Sequence, residues 1–148
     1  MSNLYDFLNP VIGDEEKEVV ISKRFVKRDE EGKPLLDEEG NMIPRPFKIR
    51  ALSQEENDRI VKSATTSYRD RAGNKVNNFD RFKYSHAVVV AGTVEPDFKS
   101  KEVCDRFGVL DPELAVTKML RAGEYQKLAD AIAELSGIGG DVEEEAKN

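Results

Sequence analysis

From Glu18 to Arg28 the chain alternates, with Val19, Ile21 and Phe25 on one side of an extended segment and Lys23 as the exception, which predicts a strand. Three segments then repeat the pattern Asp-x-x-Gly: Asp29 to Gly32, Asp37 to Gly40 and Asp70 to Gly73. Asp at the first position of a type I turn bonds its own backbone, and Gly at the fourth accepts the left-handed conformation that follows, so all three are predicted turns. Leu35-Leu36 and the alternating run Phe47-Lys48-Ile49-Arg50 complete a small antiparallel hairpin or three-stranded meander over residues 18–52. Pro34, Pro44 and Pro46 restrict its middle to short or edge strands.

At Ser53 the period becomes helical. Ser53 with Glu56 forms a capping box, and Ile60, Val61 and Ala64 supply an apolar side. A second helix is predicted from about Phe79 to Val94, with Phe79, Phe82, His86, Val89 and Val90 on one stripe and a second half that is apolar nearly all round. A helix of that kind is buried between others, which makes it the centre of the core. Ser100 to Phe107 predicts a short helix stopped by Gly108, and Asp111-Pro112-Glu113 starts another that runs to about Arg121. The last helix follows Gly123, with Tyr125, Leu128, Ile132 and Leu135 spaced three, four and three apart and Gly137 as its cap. The fold class is therefore α+β: a small N-terminal antiparallel hairpin or meander, then a predominantly helical body of about five helices. Residues 1–137 are expected to form a single folded domain, with a strand region at 18–52 and a helical region at 53–137. Residues 138–148, glycine-rich and acidic, are expected to be a flexible tail.

Composition sharpens this picture in two places. Of 148 residues 39% are hydrophobic and 35% charged, enough apolar content for one ordinary domain beneath a heavily charged surface. The net charge of -6 is concentrated: residues 29–40 carry -5 and residues 138–148 carry -3, so the rest sums to +2. A nearly neutral body has no broad basic field, and bulk nucleic-acid binding is not expected. No apolar run approaches the ~20 residues of a membrane span, and Met1-Ser2-Asn3-Leu4-Tyr5-Asp6 lacks the regions of a signal peptide, which points to the cytoplasm and to no membrane partner.

Candidate chemistry is sparse. Counting a calcium loop from Asp37 puts Met42 where glycine is needed and Lys48 where the bidentate glutamate belongs, and counting from Asp29 puts Lys33 at a ligand position. His86 is the single histidine, so zinc would need Cys104 and carboxylates, without any Cys-x-x-Cys or His-Glu-x-x-His arrangement. Cys104, beside Val103 and one turn before Phe107, has the setting of a buried inert thiol. Phosphate-cradling glycine loops and the Gly-x-Ser-x-Gly elbow are absent, so no catalytic residue, no metal site and no cofactor is expected, and the chain is not expected to be an enzyme. Two features could take partners. Lys23, Arg24, Lys27, Arg28, Arg45, Lys48 and Arg50 cluster on the strand region, where a solvated face is the commoner explanation. The stripe Tyr125, Leu128, Ile132 and Leu135 could dock a partner helix, although packing inside the domain is the commoner use of such a stripe.

The stretch Leu120-Arg121-Ala122-Gly123-Glu124-Tyr125, continuing through Leu128, Ile132 and Leu135-Ser136-Gly137, resembles the closing motif of phage tail assembly chaperones. The order of earlier parts is similar too: the leader Leu4-Tyr5-Asp6-Phe7-Leu8, the run Phe47 to Ser53, and the helix closing in Gly92-Thr93-Val94-Glu95-Pro96-Asp97-Phe98. The chain as a whole resembles the XkdN-type chaperones of PBSX-like prophages and related contractile-tailed phages. The resemblance implies a chaperone in the bacterial host cytoplasm that binds the tape measure protein, keeps it soluble and helps to recruit tail tube protein subunits. It carries over no catalytic residue. A structural tail or baseplate component is the alternative, and the oligomeric state is left open.

Overall fold

The computed structural model describes residues 3–11 and 16–138. In chain order its elements are α1 (Leu4–Leu8), β1 (Glu16–Val19), β2 (Phe47–Arg50), α2 (Gln54–Ser63), β3 (Thr65–Arg69), β4 (Lys75–Phe79), α3 (Arg81–Gly92), β5 (Thr93–Glu95), α4 (Lys101–Arg106), α5 (Pro112–Met119) and α6 (Ala122–Ser136). This is an α+β fold, an N-terminal strand pair followed by a largely helical body.

The alternation of Phe47-Lys48-Ile49-Arg50 makes β2 the middle strand of an antiparallel sheet ordered β1-β2-β5. Phe47 and Ile49 are buried while Lys48 and Arg50 lie on the other face. β1 pairs with β2 from Glu16 opposite Arg50 to Val19 opposite Phe47, and β5 returns from the helical body to put Thr93 opposite Ile49. The strand expected at 18–28 is shorter and begins earlier, ending at Val19. Beyond it the backbone turns into a proline-limited arm held by three isolated bridges: Val26 with Pro44, Arg28 with Pro34, and Leu36 with Met42. Three backbone bonds close a ring there, from Lys27 N–H to Ile43 O (2.8 Å), Ile43 N–H to Leu35 O (3.1 Å) and Leu35 N–H to Lys27 O (2.8 Å). Both Asp-x-x-Gly turns cap this arm. Asp29 and Asp37 each accept two backbone amides, and Gly32 and Gly40 take φ of +86° and +85°.

The third turn has a different setting. Asp70 to Gly73 joins β3 to β4 in a second, two-stranded sheet whose register runs from Thr65 opposite Phe79 to Arg69 opposite Lys75. The sequence reading places a turn at Asp70 to Gly73 but gives the residues from Ser53 onward a helical period, so the two strands flanking that turn correct it. Both strands are exposed on nearly every residue and show no apolar alternation to mark them.

The helix starts follow the caps in the sequence. Ser53 and Glu56 form the reciprocal box, Asp80 accepts the amides of Phe82 and Lys83, Ser100 that of Val103, and Asp111 that of Glu113 with Pro112 in the first turn. Gly137 ends α6 in the left-handed conformation, φ 71°, and Ile138 N–H reaches back to Ala133 O at 2.8 Å, the Schellman arrangement. Of the tail expected at 138–148, Ile138 closes this cap and residues 139–148 lie outside the described residues. The core gathers Ile21, Phe47, Ile49 and Leu52 from the strand region with Val88, Val89, Phe98, Val116, Leu128 and Ile132 from the helical body. α3 is its centre, packed against α2, α5 and α6, while α6 also covers β2. Phe79 and Phe82 do not join that core. Phe79 ends β4, and Phe82, in the first turn of α3, is 78% exposed.

Candidate interaction surface

The α6 stripe is used inside the fold. Leu128 and Ile132 are 0% exposed and hold α6 in the core. Tyr125 and Leu135 are half-buried at its margin. The Tyr125 hydroxyl meets Ser85 Oγ at 2.5 Å, its ring meets His86 edge-on at 5.4 Å, and burial pushes its pKa up. Leu135 lines a groove described below.

The remaining candidates are also absorbed. Among the described residues no three of His, Cys, Asp and Glu converge on a metal site. Cys104 is buried and its thiol donates to Phe98 O at 3.4 Å. Three arginines of the basic strand cluster are engaged within the fold: Arg28 donates to Gly32 O, Arg50 forks onto Glu56, and Arg24 forks onto Glu124. A cleft of about 330 Å³ beside α2 and α3 includes Arg50, Arg59 and Lys99 with Glu56, Asp111 and Glu113, three cations against three carboxylates, which leaves no net field to select an anion.

The Arg24–Glu124 fork is the main electrostatic tie between the strand region and the last helix. Arg24 Nε lies 2.8 Å from Glu124 Oε2 and its Nη2 lies 2.6 Å from Oε1 and 3.0 Å from Met119 O. Glu124 also accepts the Arg121 amide at 2.8 Å, satisfying a free N–H at the start of α6. Hydrogen bonding from Arg24 outweighs desolvation and draws the Glu124 carboxyl down to about 2. Arg50 does the same for Glu56, also to about 2.

What the fold leaves uncovered is apolar and lies elsewhere. In α1, Leu4, Tyr5, Phe7 and Leu8 are 53–79% exposed, and no residue of this helix is buried. Phe79, Phe82 and Leu114 are exposed on the helical side, and Leu36 opposite Met42 on the arm. Between β1 and α6 runs a groove of about 690 Å³, formed by residues 17–20 and by Lys127, Asp130, Ala131, Glu134 and Leu135. The leader is visible in the sequence as a dense apolar run before Pro10, and the structure leaves it unburied.

The family model for XkdN-like phage tail assembly chaperone proteins matches residues 4–147. The chain belongs to this family. It is 32% identical to the phage-like element PBSX protein XkdN of Bacillus subtilis (strain 168), over 99% of this chain and 96% of that protein. It is 35% identical to YqbN of the same organism, over 90% and 85% respectively. The crystal structure of YqbN matches with a TM-score of 0.66 at 30% identity, covering 90% of this chain and 96% of that one. As a member of the XkdN-like family the chain is read as a tail assembly chaperone, and among the described residues no helix is long and apolar enough to cross a membrane.

Proposed function

We propose that this tail assembly chaperone binds the tape measure protein of its phage or prophage in the bacterial cytoplasm, keeps it soluble before the tube encloses it, and helps to bring tail tube subunits to it, without catalysing a reaction. The observation that carries this reading is the family match over residues 4–147, which includes the exposed leader helix as well as the core. The physics supports it. A long helical ruler presents apolar stripes until it is enclosed, and a binder that covers them reversibly needs unburied apolar side chains on a charged exterior. α1, Phe82 and the Leu36–Met42 pair supply such side chains, on a chain with 35% charged residues.

Coexpression tests the reading. The tape measure protein is expected to be largely insoluble alone and soluble with this chain, and the two should copurify in moderate salt, which screens exposed charges but barely weakens apolar contact. A well-folded chain that neither binds nor solubilises it refutes the proposal. Recovery of the chain at stoichiometric level in purified tails would show a structural component instead.

A further inference from the structure

We propose that the open edge of β1, beside the flank of α6, takes an extended segment of a protein partner as a fourth strand of the sheet, a segment that alternates apolar and basic side chains. The sheet is ordered β1-β2-β5, so among the described residues β1 has a neighbour on one side alone. In an antiparallel ladder every second residue turns its N–H and C=O away from its partner. For Glu16 to Val19 those outward groups meet no backbone group of the described residues. Such a row of donors and acceptors is a template for another strand. An extended chain satisfies it in register, whereas a helix has already spent its own amides.

The space for that strand is present. A groove of about 690 Å³ follows the edge, with residues 17–20 on one side and Lys127, Asp130, Ala131, Glu134 and Leu135 of α6 on the other. Residues directly opposite across a ladder share a face, so Val19 beside Phe47 and Lys17 beside Ile49 lie on the face that α6 covers, and Glu16 and Glu18 lie on the outer face. An apolar side chain entering next to Val19 would meet Ala131 and Leu135, which are themselves half-buried.

The charge pattern selects the occupant. On the outer face the sheet alternates in sign from strand to strand, with Glu95 of β5 opposite Lys48 of β2 and Lys48 opposite Glu18 of β1. Opposite charges across a ladder stabilise it and like charges destabilise it, so the next strand continues the row with a cation opposite Glu18. A second copy of β1 fails that condition. Pairing the strand with itself about a two-fold axis sets Lys17 on Lys17 with Glu16 on Glu18, or Glu18 on Glu18, in the registers centred on those residues. The chain's own ends fail it too: residues 3–11 contain no cation, and residues 139–148 carry four acids and one lysine. The basic run Lys23 to Arg28 is tied into the arm through the backbone of Phe25 and Lys27. The segment therefore comes from another protein. This edge uses none of the side chains assigned to the tape measure protein, and the inference does not depend on that reading.

The probe is a short synthetic peptide alternating valine and lysine, blocked at both ends and fluorescently labelled, titrated against the full chain by anisotropy, with amide exchange mapped by NMR. The expected result is saturable binding of one peptide per chain with new protection of amides in residues 16–20. N-methylation of every valine amide blocks one hydrogen-bonding edge of the extended peptide and N-methylation of every lysine amide blocks the other. One of the two forms should lose at least about tenfold in affinity and the other should not. Glutamate in place of lysine should weaken the peptide by a similar factor; Glu18→Lys should remove that preference and Glu18→Gln should reduce it. Glu18 is exposed, so the melts of both variants should follow the parent's. Absence of saturable binding to the folded chain, equal loss with both methylated peptides, unchanged exchange in residues 16–20, or a charge preference indifferent to Glu18 overturns the proposal. So does a dimer in sedimentation velocity that the peptide dissociates, which would put a second copy on the edge.

Discussion

Gly92 is the last residue of α3, where that helix crosses α6, and a Cβ added there would stand 2.4 Å from Ile132 Cγ2 and 3.0 Å from its Cδ1. Ile132 is 0% exposed and cannot swing into solvent, so Gly92→Ala must displace a packed side chain or separate the two helices. Overpacking of this kind costs ~1–3 kcal/mol. Replacing glycine by alanine in a helix interior returns up to ~1 kcal/mol, and less at a final residue. The net expectation is a loss of about 1–2 kcal/mol, or about 3–8 °C in Tm for a chain of this length. Urea unfolding followed by circular dichroism measures it. A double-mutant cycle identifies the cause: Ile132→Ala alone should cost ~2–5 kcal/mol through its cavity, but less in the Gly92→Ala background, because the new methyl group fills part of the space. If Gly92→Ala is as stable as the parent, or if the two changes simply add, α3 and α6 do not meet as described.

Ser53→Ala removes one half of the capping box on α2 and should lower the urea unfolding free energy by about 1 kcal/mol; an unchanged midpoint would show that the cap contributes nothing. Leu128→Asp places an unpaired carboxylate in the core and should abolish cooperative thermal unfolding, and a melt like the parent's would contradict the burial of α6. Glu124→Gln should cost about 1–2 kcal/mol at neutral pH, below the ~3–5 kcal/mol of a fully buried pair because the Arg24 side chain is 36% exposed. Glu124 is drawn from its ordinary 4.5 to about 2, so its contribution is present above that ordinary value and fades as pH falls from about 4.5 toward 2. The stability gap between parent and variant should therefore shrink across that window, Glu56 titrating alike in both proteins; a gap independent of pH refutes the assignment.

Features governed by neighbours in sequence were legible. The three Asp-x-x-Gly turns, the caps at Ser53 and Asp111, and the glycine stop at Gly137 form where the sequence puts them, because each depends on backbone within four residues. The β3–β4 hairpin was missed for the converse reason. Thr65 to Arg69 and Lys75 to Phe79 are wet on both faces, so no period of two marks them, and only the turn at Asp70 betrayed their place. Phe79 and Phe82 misled in the opposite direction. Their spacing of three continues the apolar stripe of α3, but the helix starts after Asp80 and its first turn lies beyond the packed core.

Spacing reports which side of an element is apolar and not what covers that side. By spacing alone Leu128 and Ile132 could also have faced a partner. They are core because Ile49, Val89 and Gly92, far away in sequence, come to meet them. The Arg24–Glu124 fork spans 100 positions and has no local signature at all. In the function proposed above this limit falls on the binding surface itself, because the side chains offered to a partner are apolar ones that the fold declines to bury. The four apolar residues of α1 read in sequence like any helix stripe, and only their exposure separates them from the stripe on α6. Each unburied side chain of this size forgoes ~1.5–3 kcal/mol of transfer free energy. A fold that leaves four together on one short helix holds that free energy in reserve for whatever surface comes to cover it.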